Sequence, residues 1–592
     1  MRITYNDKLN KLLNPYLESL LKEKSSLEPE TLTLFDLFME DLDMGGRYGI
    51  FSEILEPRLE EIIREENIES IANLMDGRLN TLFRYMLGDE FAGLFHTYLQ
   101  LEARCPHTIG YDRRAQRSAH PSNHLDHARD AWLQFLKLRA TGFSVEAILK
   151  GGNTPEDTEE FSGYMNSSYW LAAQIAQGNE KVIEYLNQVL TSENNVHRLQ
   201  RWYLHAIAIS GHRPLLELEG KLLLAAKLQE GLRQAIVETM DEGCPESYLY
   251  LFSIIYNNGL QRFASVKRSI AVCTGIGEQD SSERITNKYV ELIWNFLNHP
   301  ETARNTLQSK DTVELYLALW SIGFYDTDEI RAIVPDIIRK GAKHQIQTLL
   351  YFLRCTQSSQ MNHLISKDAF EVWHDDPKVV AAILPLYMDG LYLSRYSDNK
   401  EAPTLSDYFE SPEEAVRHYG YLKQVYQSIS AKEIYSPYVF PWDCVVLTRS
   451  DVVLKMAYIA WMTNDIRLRE ELCTYLPALE SYNRASYIGI VLPRTESKVE
   501  QEYVLQSLGD RSADIRDEAY KVLSEMSLSP EQYQHIEELL RFKYSEMRIN
   551  AINLLMKQPE AQLAASIRRL LSDKNAERRL AGLDMMKSIR NV

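Results

Sequence analysis

The sequence lacks the motifs that mark several large classes of protein. Its 592 residues include six cysteines, all far apart and without a C-x-x-C pair, which argues against zinc ribbons and dithiol redox sites. It contains no G-x-x-x-x-G-K-[ST] segment and no H-E-x-x-H segment, so neither a P-loop nor a zincin site is indicated, and no cofactor is expected. The N-terminal residues lack the apolar core of a signal peptide. Scattered thiols without a leader predict a cytoplasmic protein with buried, reduced cysteines.

Positive charge is also scarce. The chain has 83 Asp and Glu residues against 65 Lys and Arg residues, a formal net charge of −18 at pH 7. Because nucleic acids and membrane surfaces are anionic, this balance disfavours a protein whose general surface binds either of them. The most apolar stretch, 445–462, carries Arg449, Asp451 and Lys455, which are too many charges for a membrane span. We therefore expect no membrane partner.

Strand-like alternation is rare, and apolar residues recur instead at three- and four-residue steps along nearly the whole chain. Breakers such as Gly151-Gly152 and Asn257-Asn258-Gly259 separate the helical segments. This pattern predicts an all-α protein with on the order of thirty helices. Tyrosine is common, with 34 copies, and suits both helix seams with one wet edge and binding surfaces.

One short pattern occurs three times in the last hundred residues. A leucine is followed by Arg-x-x-Ala, with the alanine 11 residues after the leucine, and by an apolar residue four positions further on. The steps between the alanines are 32 and 30 residues, a period that indicates stacked pairs of helices. The copies are Leu508…Arg516…Ala519…Leu523, Leu540…Arg548…Ala551…Leu555 and Leu570…Arg578…Ala581…Met585.

Together with a polar turn between the helices, marked by Asp510 and Asp573, these copies resemble HEAT repeats, and armadillo repeats share the spacing. The resemblance covers 497–589 and implies an α-α superhelix, or solenoid, of HEAT-like repeats that is degenerate in the middle of the chain and clearest at the C-terminus. In HEAT-like arrays the repeat arginine usually pairs with the aspartate of a neighbouring turn, which implies a structural role for Arg516, Arg548 and Arg578. A row of arginines that faces a ligand is the competing interpretation.

The overall layout also resembles, more distantly, the N-terminal region of uncharacterised bacterial proteins of the molybdate-metabolism-regulator-like type. Those proteins place helical repeats ahead of a separate C-terminal domain. The last repeat helix runs to the end of the sequence at Val592 without a polar capping helix. The expectation is that the chain is the front part of a larger bacterial protein, or that its last helix docks on a partner.

Breaks in the helical rhythm suggest four regions. An N-terminal helical region with an Arg- and His-rich loop at 105–122 is expected at 1–150, and degenerate repeats at 151–393. A long loop or connection is expected at 394–443, where the sequence is polar and then rich in proline and aromatic residues, followed by HEAT-like repeats at 444–592.

The strongest local signal for chemistry is a histidine cluster in the first region. Imidazole is the commonest protein ligand for transition metals, and Asp126 lies among these histidines. The spacing matches no recognised metal motif, so ordinary cap and loop histidines remain the competing interpretation. The candidate metal ligands are His107, His120, His124 and His127.

The same loop is a basic island in an acidic chain. Arg113, Arg114 and Arg117 could hold a phosphate or carboxylate through their guanidinium groups, as an anion or nucleic-acid site. Salt bridges to neighbouring acidic helices are the competing interpretation.

Solenoids bind more often than they catalyse, so the sequence predicts a non-catalytic scaffold rather than an enzyme. Its partner would be a protein, or a downstream domain of the same chain. The first alternative is a HEAT-like nucleic-acid-binding protein that uses Arg113, Arg114 and Arg117, although nucleic acid is disfavoured by the net charge. The second is a metal-dependent enzyme at the cluster from His107 to His127.

Overall fold

The structure is a computed structural model. It describes residues 7–590 except for 45–54, 69, 106–130, 133–134, 137, 141–144, 146–166, 193–198, 227–228, 277–284, 326, 355–358, 397–400, 431–432, 438–443, 494 and 542–544. The chain divides into two compact units, residues 1–333 and 334–592, and the division lies inside the helix Thr327–Lys340. No described helix is long and apolar enough to cross a lipid bilayer.

The described elements of the first unit are helices and short 3-10 turns, as the sequence predicts for an all-α protein. The helices are α1 Asp7–Glu23, α2 Pro29–Met44, α3 Leu55–Glu65, α4 Leu79–Leu87, α5 Asp89–Arg104, α6 Ser167–Ala176, α7 Glu180–Thr191, α8 Arg201–Ser210, α9 Arg213–Ala225, α10 Glu230–Asp241, α11 Pro245–Asn257, α12 Ala264–Thr274, α13 Asn287–Asn298, α14 Pro300–Thr306, α15 Thr312–Tyr325 and α16 Thr327–Lys340.

The described elements of the second unit are helical apart from one small hairpin. Strands β1 (Ile434–Pro437) and β2 (Cys444–Leu447) pair antiparallel, with Ile434 opposite Leu447. The helices are α17 Lys343–Arg354, α18 Ser359–Trp373, α19 Pro377–Ile383, α20 Pro412–Ser428, α21 Arg449–Thr463, α22 Ile466–Leu472, α23 Ser481–Val491, α24 Lys498–Ser507, α25 Ala513–Glu525, α26 Pro530–Leu539, α27 Ser545–Leu555, α28 Glu560–Leu571 and α29 Ala576–Arg590.

Many helices begin at a side chain that accepts a hydrogen bond from a first-turn N–H group. Such caps satisfy donors that have no partner within the helix, and Ser, Thr, Asp and Asn favour this position. Thr448 and Ser529 form full capping boxes with Asp451 and Gln532. Simple caps of the same kind stand at Asn179, Thr286, Asp376, Ser411, Asp465 and Ser497.

Helices that are next-but-one in sequence contact each other within each unit. In the first unit, α6, α8, α10 and α12 form one row of contacts, and α7, α9, α11, α13 and α15 form another. In the second unit, α21, α23, α25, α27 and α29 form one row, and α22, α24, α26 and α28 form the other. The two helices within each of the sequential pairs α24–α25, α26–α27 and α28–α29 also contact each other, so each pair packs against its neighbouring pairs.

The three repeat copies occupy equivalent places in the last pairs. Each leading leucine lies at or next to the end of a first helix, and each alanine lies in the second helix. All nine apolar positions of the pattern are buried, at 3 % exposure or less. The sequence period of this pattern therefore coincides with a period of burial in the structure. The nine residues are Leu508, Ala519, Leu523, Leu540, Ala551, Leu555, Leu570, Ala581 and Met585.

Two expectations need correction. The connection predicted at 394–443 contains the 17-residue helix α20, which Ser411 caps and Pro412 starts, so the loop is shorter than the sequence suggests. Four of the five described cysteines are buried as expected, but Cys444, the first residue of strand β2, is exposed. The structure shows two compact units, and the finer division into the four regions 1–150, 151–393, 394–443 and 444–592 remains a prediction.

Candidate functional site

The sequence-predicted site residues lie outside the described residues. His107, His120, His124 and His127, and also Arg113, Arg114 and Arg117, fall within 106–130. Their roles as metal or anion ligands therefore stay predictions. A second group of chemically capable side chains, which the sequence analysis did not identify, lies in the second unit.

This group, the Glu371 cluster, consists of Glu371 on α18 and of Lys367, Tyr387, Glu414, Arg417, His418 and Tyr421 around it. Ser411 accepts a hydrogen bond from the backbone N–H of Glu414 at 3.2 Å, which places that carboxylate in the first turn of α20. His418 follows four residues later and Tyr421 three further on, so the three side chains share one face of the helix.

His418 is the centre of the cluster, and both its ring nitrogens have partners. Nδ1 lies 2.8 Å from the hydroxyl of Tyr387, and Nε2 lies 3.0 Å from Oε1 of Glu371. Burial lowers the pKa of His418, outweighing the nearby charge of Glu371, so the imidazole is neutral at pH 7. Burial alone would raise the pKa of Glu371, but hydrogen bonds from Arg417 and Tyr421 bring it below its ordinary value.

These protonation states determine which atom is the donor and which the acceptor in each hydrogen bond. A neutral imidazole has one donor and one acceptor nitrogen, and an ionised carboxylate only accepts. Nε2–H of His418 therefore donates to Glu371, and the hydroxyl of Tyr387 donates to Nδ1. Both side chains inside the core, Tyr387 and His418, are fully buried. The result is a chain of hydrogen bonds that runs from the core to the half-exposed carboxylate of Glu371.

The charges of the cluster balance. Arg417 donates to Oε1 of Glu371 at 2.7 Å, and Lys367 pairs with Oε1 of Glu414 at 3.1 Å. Burial would raise the pKa of Glu414, but the backbone N–H of Glu410 and the ammonium of Lys367 hold it below its usual range. Two carboxylates thus face two cations, which is the arrangement that makes partly buried charges tolerable.

Glu371, Glu414 and His418 could in principle hold a metal ion, because one ligand atom from each lies within 4.8 Å of the others. Binding would require His418 to give up the proton on Nε2, and Lys367 and Arg417 to leave the carboxylates they neutralise. A metal site usually keeps its ligands deprotonated and supports them with second-shell partners. The cluster is instead a completed internal network whose donors and acceptors already satisfy one another.

A second buried imidazole, His363, lies nearby. Its Nδ1 accepts a hydrogen bond from the backbone N–H of Met388 at 2.9 Å, and its Nε2 donates to the carbonyl of Tyr408 at 2.8 Å. Met388 has a φ of +52°, a conformation that costs energy for a residue with a side chain. Burial lowers the pKa of His363 to about 4, so the ring ties together two segments as a neutral group.

Three exposed aromatic side chains form a second feature, the tyrosine surface, defined as Tyr392, Tyr396 and Tyr482. They are 69 %, 73 % and 42 % exposed. The hydroxyl of Tyr482, on α23, lies 3.2 Å from that of Ser394, which stands between the other two tyrosines. Exposed aromatic side chains of this size are the residue type most enriched at binding surfaces.

The segment that carries this surface is fixed to the helices beneath it. The backbone N–H of Arg395 donates to the hydroxyl of Ser486 on α23 at 3.3 Å. The guanidinium of Arg395 donates to the carboxylate of Asp514 on α25 at 2.5 Å, and it lies 4.9 Å from the ring centre of Tyr396. Because Arg395 is itself nearly buried, it holds the exposed ring of Tyr396 in place.

The repeat arginines have intramolecular partners, as the HEAT-like resemblance implies. Arg578 pairs with Asp573 of its own turn at 2.7 Å, whereas Arg516 donates to the carbonyl of Asp510 rather than to its carboxylate. Arg548, which has no aspartate in its own turn, reaches Glu577 and Asp584 on α29 at 3.1 and 2.7 Å. The three arginines therefore join neighbouring helices and are not a free ligand-facing row.

Sequence spacing contained part of the signal for the Glu371 cluster. Glu414 and His418 stand four apart after a Ser-Pro helix start, a pattern that places a carboxylate and an imidazole on one helical face. The partner Glu371 lies 47 residues before His418, on another helix, and no local pattern connects them. The prediction of a loop across 394–443 also hid the beginning of α20.

Comparison with known proteins places the chain within a family. The sequence profile of a family described as "Family of unknown function (DUF5724)" matches residues 34–592. No curated protein and no solved structure matches the chain. The Glu371 cluster and the tyrosine surface both lie within the matched range.

Proposed function

The chain belongs to the family of unknown function DUF5724, and from its own contacts we propose that it is a non-catalytic scaffold, built as a HEAT-like solenoid in each unit, that binds another protein. The observation that carries the proposal is the pattern of next-but-one helix contacts. A row of such contacts on each side of a series of helix pairs is the arrangement expected of stacked repeats.

The energetics of stacking favour this interpretation. A single pair of short helices cannot bury its apolar stripe, but a pair placed between two others can. The repeat positions Ala519, Ala551 and Ala581 are small and fully covered, which lets successive second helices approach closely. Arg548 then reaches from one pair to the next, so charge pairs as well as apolar contacts link neighbouring repeats.

The tyrosine surface supports the binding half of the proposal. Binding energy in protein interfaces is concentrated in a few aromatic and arginine anchors, and rigid anchors lose less conformational entropy on binding. Tyr396 is both the most exposed of the three and held by Arg395. Tyr482 is held through its hydroxyl by Ser394. We therefore assign the protein-binding anchor to Tyr392, Tyr396 and Tyr482.

The Glu371 cluster supports the non-catalytic half. Catalytic acids and bases need a reacting atom within hydrogen-bond reach. In this cluster the imidazole of His418 is fully buried, and its two nitrogens are occupied by Tyr387 and Glu371. The network therefore stabilises the packing of α18 against α20, and this accounts for its buried polar groups without a substrate.

The test combines capture with a defined titration. The full-length protein and its triple variant Tyr392→Ala/Tyr396→Ala/Tyr482→Ala are used to capture proteins from cells of the source organism. A captured protein is then purified and titrated against both by calorimetry. We expect at least about tenfold weaker binding for the triple variant, since loss of anchor residues typically costs more than 1 kcal/mol each.

Tyr435→Ala is the matched control, because Tyr435 is also exposed, at 58 %, but lies on strand β1. The control should bind like the unmodified protein, and circular dichroism should show the same helix content for all three forms. If no captured protein depends on the tyrosine surface, or if the control loses binding equally, the proposal is wrong.

A further inference from the structure

Helix α29 exposes three large apolar side chains on one side. Leu580, Leu583 and Met586 are 46 %, 47 % and 49 % exposed, whereas Ala581 and Met585 of the same helix are fully buried. At 3.6 residues per turn, steps of three residues place the exposed side chains next to one another, within an arc of about 120°. A contiguous group of exposed apolar side chains marks a contact surface, unlike a single exposed leucine.

The stacking of repeats does not require leucine at these positions. The steps of 30 and 32 residues between the copies identify the equivalent positions in α27 and α25, and all of them are polar. Both of those helices nevertheless pack into the array. The equivalents of Leu580 are Asn550 and Glu518, and the equivalents of Leu583 are Asn553 and Lys521. The two leucines of α29 therefore need an explanation other than the packing of the array.

The charges of α29 are divided between two sides of the helix. It contains four basic and two acidic residues, in a chain whose formal net charge is −18. Its two acids face α27, where both pair with Arg548. Arg579 and Lys587 lie four residues before and four residues after Leu583, and both are exposed. Neither has an acidic partner among the residues that the structure describes, so the exposed side is apolar in its centre and positive at both ends.

The guanidinium of Arg579 is held in place. Its Nη1 donates to the backbone carbonyls of Asp573 and Lys574 at 2.9 and 2.8 Å, in the turn before α29. The carboxylate of Asp573 pairs with Arg578 instead. Because the side chain of Arg579 is already ordered, it loses little conformational entropy when it pairs with an acid of a partner.

A second copy of this chain does not fit the same side of α29. If two copies of the helix pack antiparallel about Leu583, Leu580 lies opposite Met586, but Arg579 lies opposite Lys587. A parallel arrangement sets each cation beside its own copy. Like charges at this distance are destabilising, whereas acidic side chains at the same two places are attracted. Charge complementarity therefore favours an acidic partner over self-association.

We propose that the exposed side of α29 binds an acidic amphipathic helix of another protein. This α29 face consists of Arg579, Leu580, Leu583, Met586 and Lys587. The partner's apolar residues, spaced three and four apart, pack against the three apolar side chains, and its Asp or Glu residues pair with the two cations. A helix is the expected form, because side-chain ridges at these spacings pack into the grooves of a second helix. The contact does not use the tyrosine surface, so the two proposals can fail separately.

Selection from a peptide library tests the proposal on the full-length protein. The library displays helices of about 18 residues, or five turns, with apolar residues fixed at three- and four-residue steps and the flanking positions randomised. Enriched peptides are synthesised, labelled and titrated by fluorescence anisotropy against the unmodified protein, Leu583→Glu and Lys587→Glu. Val499→Glu is the matched control, because Val499 is also 47 % exposed but lies on α24.

We expect the enriched peptides to carry Asp or Glu at the flanking positions. Their affinity should fall at least about tenfold in Leu583→Glu, which places an acid in the centre of the apolar contact. It should fall about threefold in Lys587→Glu, which reverses one exposed charge. Val499→Glu and the triple tyrosine variant should bind like the unmodified protein, and circular dichroism should show the same helix content for all forms.

The proposal is wrong if no peptide is enriched, or if the enriched peptides are basic or uncharged at the flanking positions. Equal binding to Leu583→Glu, or equal loss in Val499→Glu, would also contradict it. Sedimentation of the protein alone and vesicles that contain phosphatidylglycerol test the other occupants. A dimer that is lost in Leu583→Glu would make the α29 face a contact between copies, and vesicle binding lost in that variant would assign the face to a membrane surface. Either result would overturn the proposal.

Discussion

At the scale of single residues, the two buried imidazoles act through their neutral forms. A neutral ring offers one donor and one acceptor, and His363 uses them to join Met388 to Tyr408. A protonated ring has two donors, so protonation of His363 would set a second N–H against the backbone N–H of Met388. The same logic holds for His418, whose Nδ1 accepts from Tyr387. Both rings therefore make the second unit sensitive to acid.

The first prediction follows from the sign of this effect. The pKa of His363 is about 4 in the folded protein, against about 6.5 in an unfolded chain. The contribution of neutral His363 to stability is therefore fully present above pH 6.5. It is lost as pH falls from 6.5 towards 4, because in this window only the unfolded chain takes up the proton. Between pH 7 and pH 5 we expect a loss of about 2 kcal/mol in the free energy of opening this region.

Hydrogen exchange of peptides from α18 and α20, corrected for the intrinsic effect of pH, measures this loss. His363→Gln should be less stable at pH 7 but should lose less between pH 7 and pH 5. His535→Gln is the control, since that ring is partly exposed on another helix. An identical acid-induced loss in His363→Gln and in the unmodified protein would show that His363 is not the source.

At the scale of helices, the repeat arginines link one pair to the next. Arg548 lies on α27 and contacts two acids on α29, while its own side chain is only 15 % exposed. Hydrogen bonds to charged groups in such partly buried places are worth more than those at the surface. The last helix pair thus depends on a contact from the helix two positions before it.

We predict that Arg548→Ala loosens α29 selectively. Two carboxylates, Glu577 and Asp584, would lose their cationic partner, at a cost of about 1.5 kcal/mol. Hydrogen exchange of peptides from α29 should then be roughly tenfold faster, with smaller changes in α24 and earlier helices. Arg511 is an exposed arginine in the turn between α24 and α25, and Arg511→Ala should leave the exchange of α29 unchanged. Unchanged exchange of α29 in Arg548→Ala would contradict a stacking role.

The same helices show what local sequence could predict. The apolar positions of the three repeats were predictable because period and burial follow from one geometric cause, the stacking of pairs. The start of α20 was missed because 394–413 is polar and contains Pro403 and Pro412, although a proline at the first helical position favours a helix. The contact between Glu371 and His418 was out of reach, since it joins two helices that no repeat relates.

At the scale of the whole chain, charge is the property that best separates the alternative functions. The formal net charge is −18, and the basic residues of the repeats, such as Arg516, Arg548 and Arg578, are engaged with acids or backbone carbonyls. A nucleic-acid surface needs several free cations that neutralise phosphates. These three repeat arginines therefore do not provide such a row.

The last prediction is therefore that the full-length protein does not bind nucleic acid at physiological salt. Anisotropy titrations with a labelled 20-base-pair duplex and with a single strand, at about 0.15 M salt, should show no saturable association, because the acidic surface repels phosphates. Binding that weakens steeply with salt, and that is lost in Arg113→Ala/Arg114→Ala/Arg117→Ala but kept in Arg511→Ala, would contradict this. That result would show that the binding site is the basic loop and not the tyrosine surface, since only a local cluster of arginines could overcome the net negative charge.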